Sequence, residues 1–100
     1  MKLNTPWRRD GYYIVRPSAK TLLDCEFIAS DTEPSLRTLQ ELVGGYIEVV
    51  TVKLICDGIV NEEGKLRGLP PNPLATELYE NRWDSIVGTM VICCGKARLT

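Results

Sequence analysis

Two apolar runs do most to restrict what this chain can fold into. Tyr46–Cys56, YIEVVTVKLIC, and Ile86–Gly95, IVGTMVICCG, are rich in β-branched residues and largely apolar at both odd and even positions. Successive side chains of an extended strand face opposite ways. Each run therefore carries apolar surface on both faces, and must be covered on both sides or sit centrally in a sheet. The Ile86–Gly95 run is expected at the centre. A chain of 100 residues has material for one core only, so a single domain, 1–100, has to cover both runs from its remaining segments.

The cover is readable in part. In SDTEPSLRTLQELVGG, Leu36, Leu39, Leu42 and Val43 recur at helical spacing, with Thr32 or Ser35 as N-cap, Pro34 near the start and Gly44 as a left-handed stop. Asn72-Pro73 is an N-cap followed by a favoured first helical residue, and it starts a shorter helix in NPLATELY, with Leu74 and Leu78 on one face. GYYIVRP reads as an edge or N-terminal strand ended by Pro17, and alternation of Leu23, Cys25 and Phe27 makes LLDCEFIA a strand. Two hairpin registers fit the middle of the chain. Asp57-Gly58 can be a two-residue turn with Ile59–Asn61 returning, or the reversal falls near Lys53 and 55–61 is one strand. A second reversal is expected at Glu62-Glu63-Gly64, with Lys65–Arg67 pairing back. The expected fold class is α+β: a small mixed or antiparallel sheet, one principal helix at about 34–43 and a short one at about 73–80.

Composition excludes several function classes. Apolar residues make up 44% and charged residues 25% of the chain, ordinary for a soluble fold. No apolar run nears the roughly 18 residues of a membrane span, and MKLNTPWRRDGYY lacks the apolar centre of a secretory signal, so a cytoplasmic protein without a membrane partner is expected. Histidine is absent, which removes the usual general base and the commonest zinc ligand. The four cysteines at 25, 56, 93 and 94 form no C-x-x-C, and neighbouring Cys93 and Cys94 point to opposite faces of a strand. They read as small buried apolar residues, and neither a metal nor another cofactor is expected. Adjacent Glu62 and Glu63 diverge on a turn and make a poor acid–base pair, so the chain is read as a non-enzyme.

Charge is unevenly spread. Residues 1–20 hold Lys2, Arg8, Arg9, Arg16 and Lys20 against Asp10, whereas the other eighty hold 7 basic and 12 acidic residues. A flexible basic arm at 1–10 that touches nucleic acid or an acidic partner is one reading. Cations that partly neutralise an acidic body are the other, and nucleic acid is the weaker candidate. Trp7, Tyr79 and Trp83, with Arg8, Arg9 or Arg82 nearby, either stack a planar ligand or pack at the core's edge.

NEEGKLRGLPPNP, residues 61–73, is the most polar interruption between strand-like segments. Its asparagines and charges place Asn61, Glu62, Lys65, Arg67 and Asn72 as a candidate site for a host protein or a small polar, nucleotide-like ligand. Loops held on a rigid scaffold carry binding residues more often than connectors need to. Self-assembly is the alternative: an Ile86–Cys94 strand apolar on both faces, in a chain short of cover, would favour a homo-oligomer.

Four separate signatures, in order, resemble a known family: Val43-Gly44-Gly45-Tyr46-Ile47-Glu48, Asn61-Glu62-Glu63-Gly64-Lys65-Leu66, Gly68 through Thr76 (GLPPNPLAT), and Ile86-Val87-Gly88-Thr89. Together they are similar to DUF3846, a small domain of unknown function frequent in bacteriophages, prophages and mobile elements. The resemblance spans Leu36–Cys94 and is poor over residues 1–30. The family commonly has an acidic residue where this chain has Thr89. Membership implies an accessory protein in the bacterial cytoplasm, with no assigned activity. By analogy with small accessory phage proteins, it implies an anti-defence binding role.

Overall fold

The computed structural model describes residues 9–53 and 56–99. A proposed arm at 1–10, with Trp7 and Arg8, falls almost wholly outside the described residues. Five strands form one antiparallel sheet: β1 (Gly11–Val15), β2 (Glu26–Ala29), β3 (Ile47–Val52), β4 (Cys56–Asn61) and β5 (Met90–Cys94). Their order across the sheet is β2-β1-β5-β4-β3. Helix α1 (Leu36–Val43) and the short α2 (Pro73–Leu78) complete an α+β domain.

Sequence rules explain both helices. The Ser35 hydroxyl accepts the Thr38 N–H at 3.1 Å and starts α1, and Gly44 at φ 82° ends it with its N–H on Gln40 O. That left-handed conformation is where glycine has no Cβ penalty. Leu39 and Val43 of α1 bury against Ile59, Val91 and Cys93, on one face of the sheet. Leu74 and Ala75 of α2 join Tyr13, Val15, Val50, Val52, Val60, Met90 and Ile92 on the other face. The two helices therefore cover opposite faces, and all five β5 residues are buried between them.

The central placement of the last strand holds, although it begins at Met90 rather than Ile86. Its burial within one chain removes the premise for self-association through Ile86–Cys94, because this chain does supply the cover. Several boundaries differ from expectation. Of the two alternatives for β1, it is the N-terminal strand among the described residues and not an edge strand, since both β2 and β5 pair with it. β3 is an edge strand rather than a doubly covered one: Val50 and Val52 face the core, but Val49 is 52% exposed. An apolar pattern reports side-chain character on each face and is silent about lateral neighbours, so both strands were open to this error. Leu22–Asp24 is a 3-10 turn, which confines β2 to the end of the LLDCEFIA run.

The hairpin takes the second register, with Val52 opposite Cys56 and Asp57-Gly58 inside β4. Gly58 faces the core there, where a Cβ would come within 2.9 Å of the Val50 and Val52 side chains; this glycine serves close packing and not a turn. Lys65–Arg67 does not pair back. It lies in a continuous turn closed by Arg67 N–H to Glu63 O and Leu69 N–H to Gly64 O.

Candidate functional site

The polar stretch between β4 and α2 divides according to burial. Asn61 is 7% exposed, and its amide is used internally. Its Nδ2 donates to Val43 O at 3.1 Å and its Oδ1 accepts the Glu63 N–H at 2.8 Å, which ties the end of α1 to the turn. Asn72 has no exposed surface. Its Oδ1 caps α2 by accepting the Ala75 N–H at 3.1 Å, while Nδ2 donates to Val15 O at 2.9 Å and Gly88 O at 2.8 Å. A buried amide so fully bonded is a structural joint. Arg67 pairs with Glu63 one helical turn earlier, at 3.0 Å.

Glu62 and Lys65 have a different setting. Together with Asn61 they line a cleft of about 140 Å³, closed by Glu48 and Val50 of β3, by Leu66 and Tyr79, and by the Asp84–Val87 segment. Arg67 and Asn72 do not line it. Lys65 Nζ donates to Asp84 Oδ1 across the mouth and joins two loops that are distant in sequence. Hydrogen bonds from Lys65 and from the Ser85 N–H hold the Asp84 carboxyl below its ordinary value. The lining carries carboxylates at Glu48, Glu62 and Asp84 against one ammonium, Lys65, a formal charge of −2. Two large apolar side chains stand out beside this ion pair: Leu66 is 89% and Trp83 92% exposed. The Asn81 side chain accepts the Trp83 N–H and fixes that loop.

The cleft opens toward the outer edge of β3. Glu80 N–H to Thr51 O and Lys53 N–H to Leu78 O cover the edge at one end, each at 3.0 Å. At Ile47 and Val49, among the described residues, no main-chain partner lies on the outer side. A shallow groove of about 360 Å³ runs there between Glu48–Thr51 and Tyr79–Asn81.

Sequence reading placed Lys65 and Glu62 at a site but missed Glu48, Asp84 and the open edge. The only signal for these is tertiary: Asp84 lies 19 positions from Lys65. Of the proposed stacking residues, Trp83 is free of the core, whereas Tyr79 packs against it. Arg9 lies 3.9 Å over the Phe27 ring and Arg16 pairs with Glu26 at 3.6 Å, so these two N-terminal cations serve the fold. Among the described residues no group of three potential ligands is placed to hold a metal, and no helix is long and apolar enough to cross a membrane.

Fold and cleft together define a small antiparallel α+β domain with an acidic groove along one sheet edge. The chain belongs to the family described as Domain of unknown function (DUF3846), whose model matches residues 13–98. That match extends the similarity well into the N-terminal third, where the short motifs were poor guides. No curated protein and no solved structure matches the chain.

Proposed function

We propose that this chain is a non-catalytic binding protein that holds an extended, cationic segment of a partner protein along the outer edge of β3. The observation that carries this reading is the Ile47–Val49 edge, without an outer main-chain partner among the described residues, lying beside a cleft with three carboxylates and one ammonium. An extended peptide adding to a sheet edge gains main-chain hydrogen bonds, and flanking pockets select its side chains. Lysine or arginine side chains would meet Glu48, Glu62 and Glu80, while Leu66 and Trp83 offer apolar anchors of the kind that dominate interfaces. Charge disfavours a nucleotide-like ligand, because a phosphate would face three carboxylates and an ammonium already paired with Asp84. Charge also disfavours a second copy, which would bring the same carboxylates, Glu48, Glu62 and Glu80, to the shared edge. The resemblance to phage and mobile-element domains supports a bacterial host protein as the partner and an anti-defence setting in the cytoplasm.

Amide NMR titration with two short peptides, one alternating valine and lysine and the other valine and glutamate, tests the reading. The lysine peptide is expected to shift Ile47, Val49 and Leu66, to weaken with added salt, and to lose affinity at least tenfold in a Glu48→Lys, Glu62→Lys double variant. Equal shifts from both peptides, no shift from either, or a β3-edge dimer in sedimentation would each overturn it.

A further inference from the structure

The binding reading makes no use of the cysteines, yet two of them meet in the middle of the sheet. β4 and β5 pair with Asp57 opposite Cys93 and Gly58 opposite Ile92; one step further along the same register, Cys56 stands opposite Cys94. The Thr51 carbonyl takes its hydrogen bond from Glu80, on the side away from β4. Main-chain groups therefore alternate so that β3 bonds β4 at Val52 and Cys56, and the Cys56–Cys94 position is a non-hydrogen-bonded pair. Such pairs bring Cα atoms to about 4.5 Å, within the range of about 4.4–6.8 Å that a disulfide spans. The side chains point the same way, into the core on the α2 face, and their sulfurs lie 2.7 Å apart. That separation is inside the van der Waals contact of two sulfurs and not far beyond the roughly 2.05 Å of a disulfide.

We infer that Cys56 and Cys94 are a disulfide site, closing a cross-strand bond between β4 and β5 when the protein meets a glutathione-type disulfide. Cys93 cannot compete, because it points to the α1 face among Leu39, Val43 and Ile59. Cys25 lies at the partly exposed rim, with its thiol directed to Thr21 O at 3.5 Å. Exchange proceeds in two displacements. Cys56, having given up its proton, attacks one sulfur of glutathione disulfide; the S–S bond breaks and one glutathione leaves, taking up a proton. Cys94 sulfur then displaces the second glutathione from Cys56, and its own proton leaves with that product. Two protein thiols are oxidised and one glutathione disulfide is reduced to two thiols. The hydrogen bond between the two sulfurs holds the Cys56 thiol below its ordinary value, which suits Cys56 to the first attack.

The bond would close a covalent ring running from β4 through the Glu62–Leu66 turn, α2 and the Asp84–Val87 segment to β5. Every residue that lines the candidate cleft except Glu48 and Val50 of β3 lies inside that ring, so its loops would be covalently tethered at both ends in an oxidising compartment and at neither in a reducing one.

The test is refolding from urea in a glutathione redox buffer, acid quenching, alkylation in denaturant and peptide mapping. Refolding gives the oxidant access to residues that are buried in the native state. Cys56 and Cys94 are expected to escape alkylation together, with a mass lower by two hydrogen atoms and full reversal by dithiothreitol. The Cys25→Ser, Cys93→Ser variant is expected to behave identically and to show a higher urea midpoint when oxidised than when reduced. Alkylation of all four cysteines, a stable glutathione adduct, or a link to Cys25 or Cys93 would overturn the inference. This outcome is independent of the peptide titration, since neither peptide contacts the pair.

Discussion

Asn61 and Asn72, at the two ends of one polar stretch, contrast with Glu62, Lys65 and Arg67 between them. All five look alike on paper, as hydrophilic residues of a loop rich in glycine and proline. The asparagines are buried and bonded entirely within the chain, whereas the charged residues remain largely in solvent. Where a polar side chain can satisfy orphaned main-chain groups, folding claims it first, because a buried unpaired amide or carbonyl is costly. What is left over for a partner is the charge that the fold does not need.

The largest effect expected from breaking this contrast comes from Asn72→Ala. It removes the α2 cap and strands two carbonyls in the core, and urea unfolding should show a loss of about 3 kcal/mol. A change under about 1 kcal/mol would mean that α2 is held by packing alone. Asn61→Ala ranks second. Loss of its bonds to Val43 O and the Glu63 N–H should cost about 2 kcal/mol in the same experiment, with exchange protection lost at the turn before the sheet. Arg67→Met should move stability by no more than about 0.5 kcal/mol, as expected of an exposed i,i+4 ion pair; a larger loss would put Arg67 with the asparagines. The smallest effect is one of titration. In Lys65→Met the Asp84 midpoint, read by carboxyl-carbon NMR, should rise toward its ordinary 3.8. Because Lys65 lowers that midpoint, the pair is intact above pH 3.8 and is lost as the pH falls below it. An unchanged midpoint would show that the two loops are not joined through this pair.

Much of the fold was legible in the sequence where local chemistry decides it. Ser35 and Gly44 bound α1, Asn72-Pro73 starts α2, and the doubly apolar MVICC is the central strand, each for the reason its residues suggested. The edge position of β3 and the interior position of β1 were not legible, because order across a sheet depends on which strands meet and not on any strand's own pattern. The sequence admits two hairpin registers around Asp57-Gly58 for a related reason. Both residues favour a turn, but Gly58 is required under Val50 and Val52, and that need is visible only once β3 lies beside β4. For the candidate site, the polar stretch contributes Asn61, Glu62 and Lys65 to the cleft, and Arg67 and Asn72 lie away from it. Glu48 and Asp84 reach the cleft from other elements.

The placement of β5 has a consequence for how the chain is made. β1 and β2 form one hairpin and β3 and β4 another, and both are complete well before residue 90 is added. Neither hairpin has a stable partner until β5 arrives between them. Synthesis therefore leaves two exposed inner strands, β1 and β4, facing a gap that only Met90–Cys94 fills. A ribosome that stalls before this segment emerges would release two unjoined hairpins with open edges, substrates for chaperones or proteases rather than a shortened version of the domain.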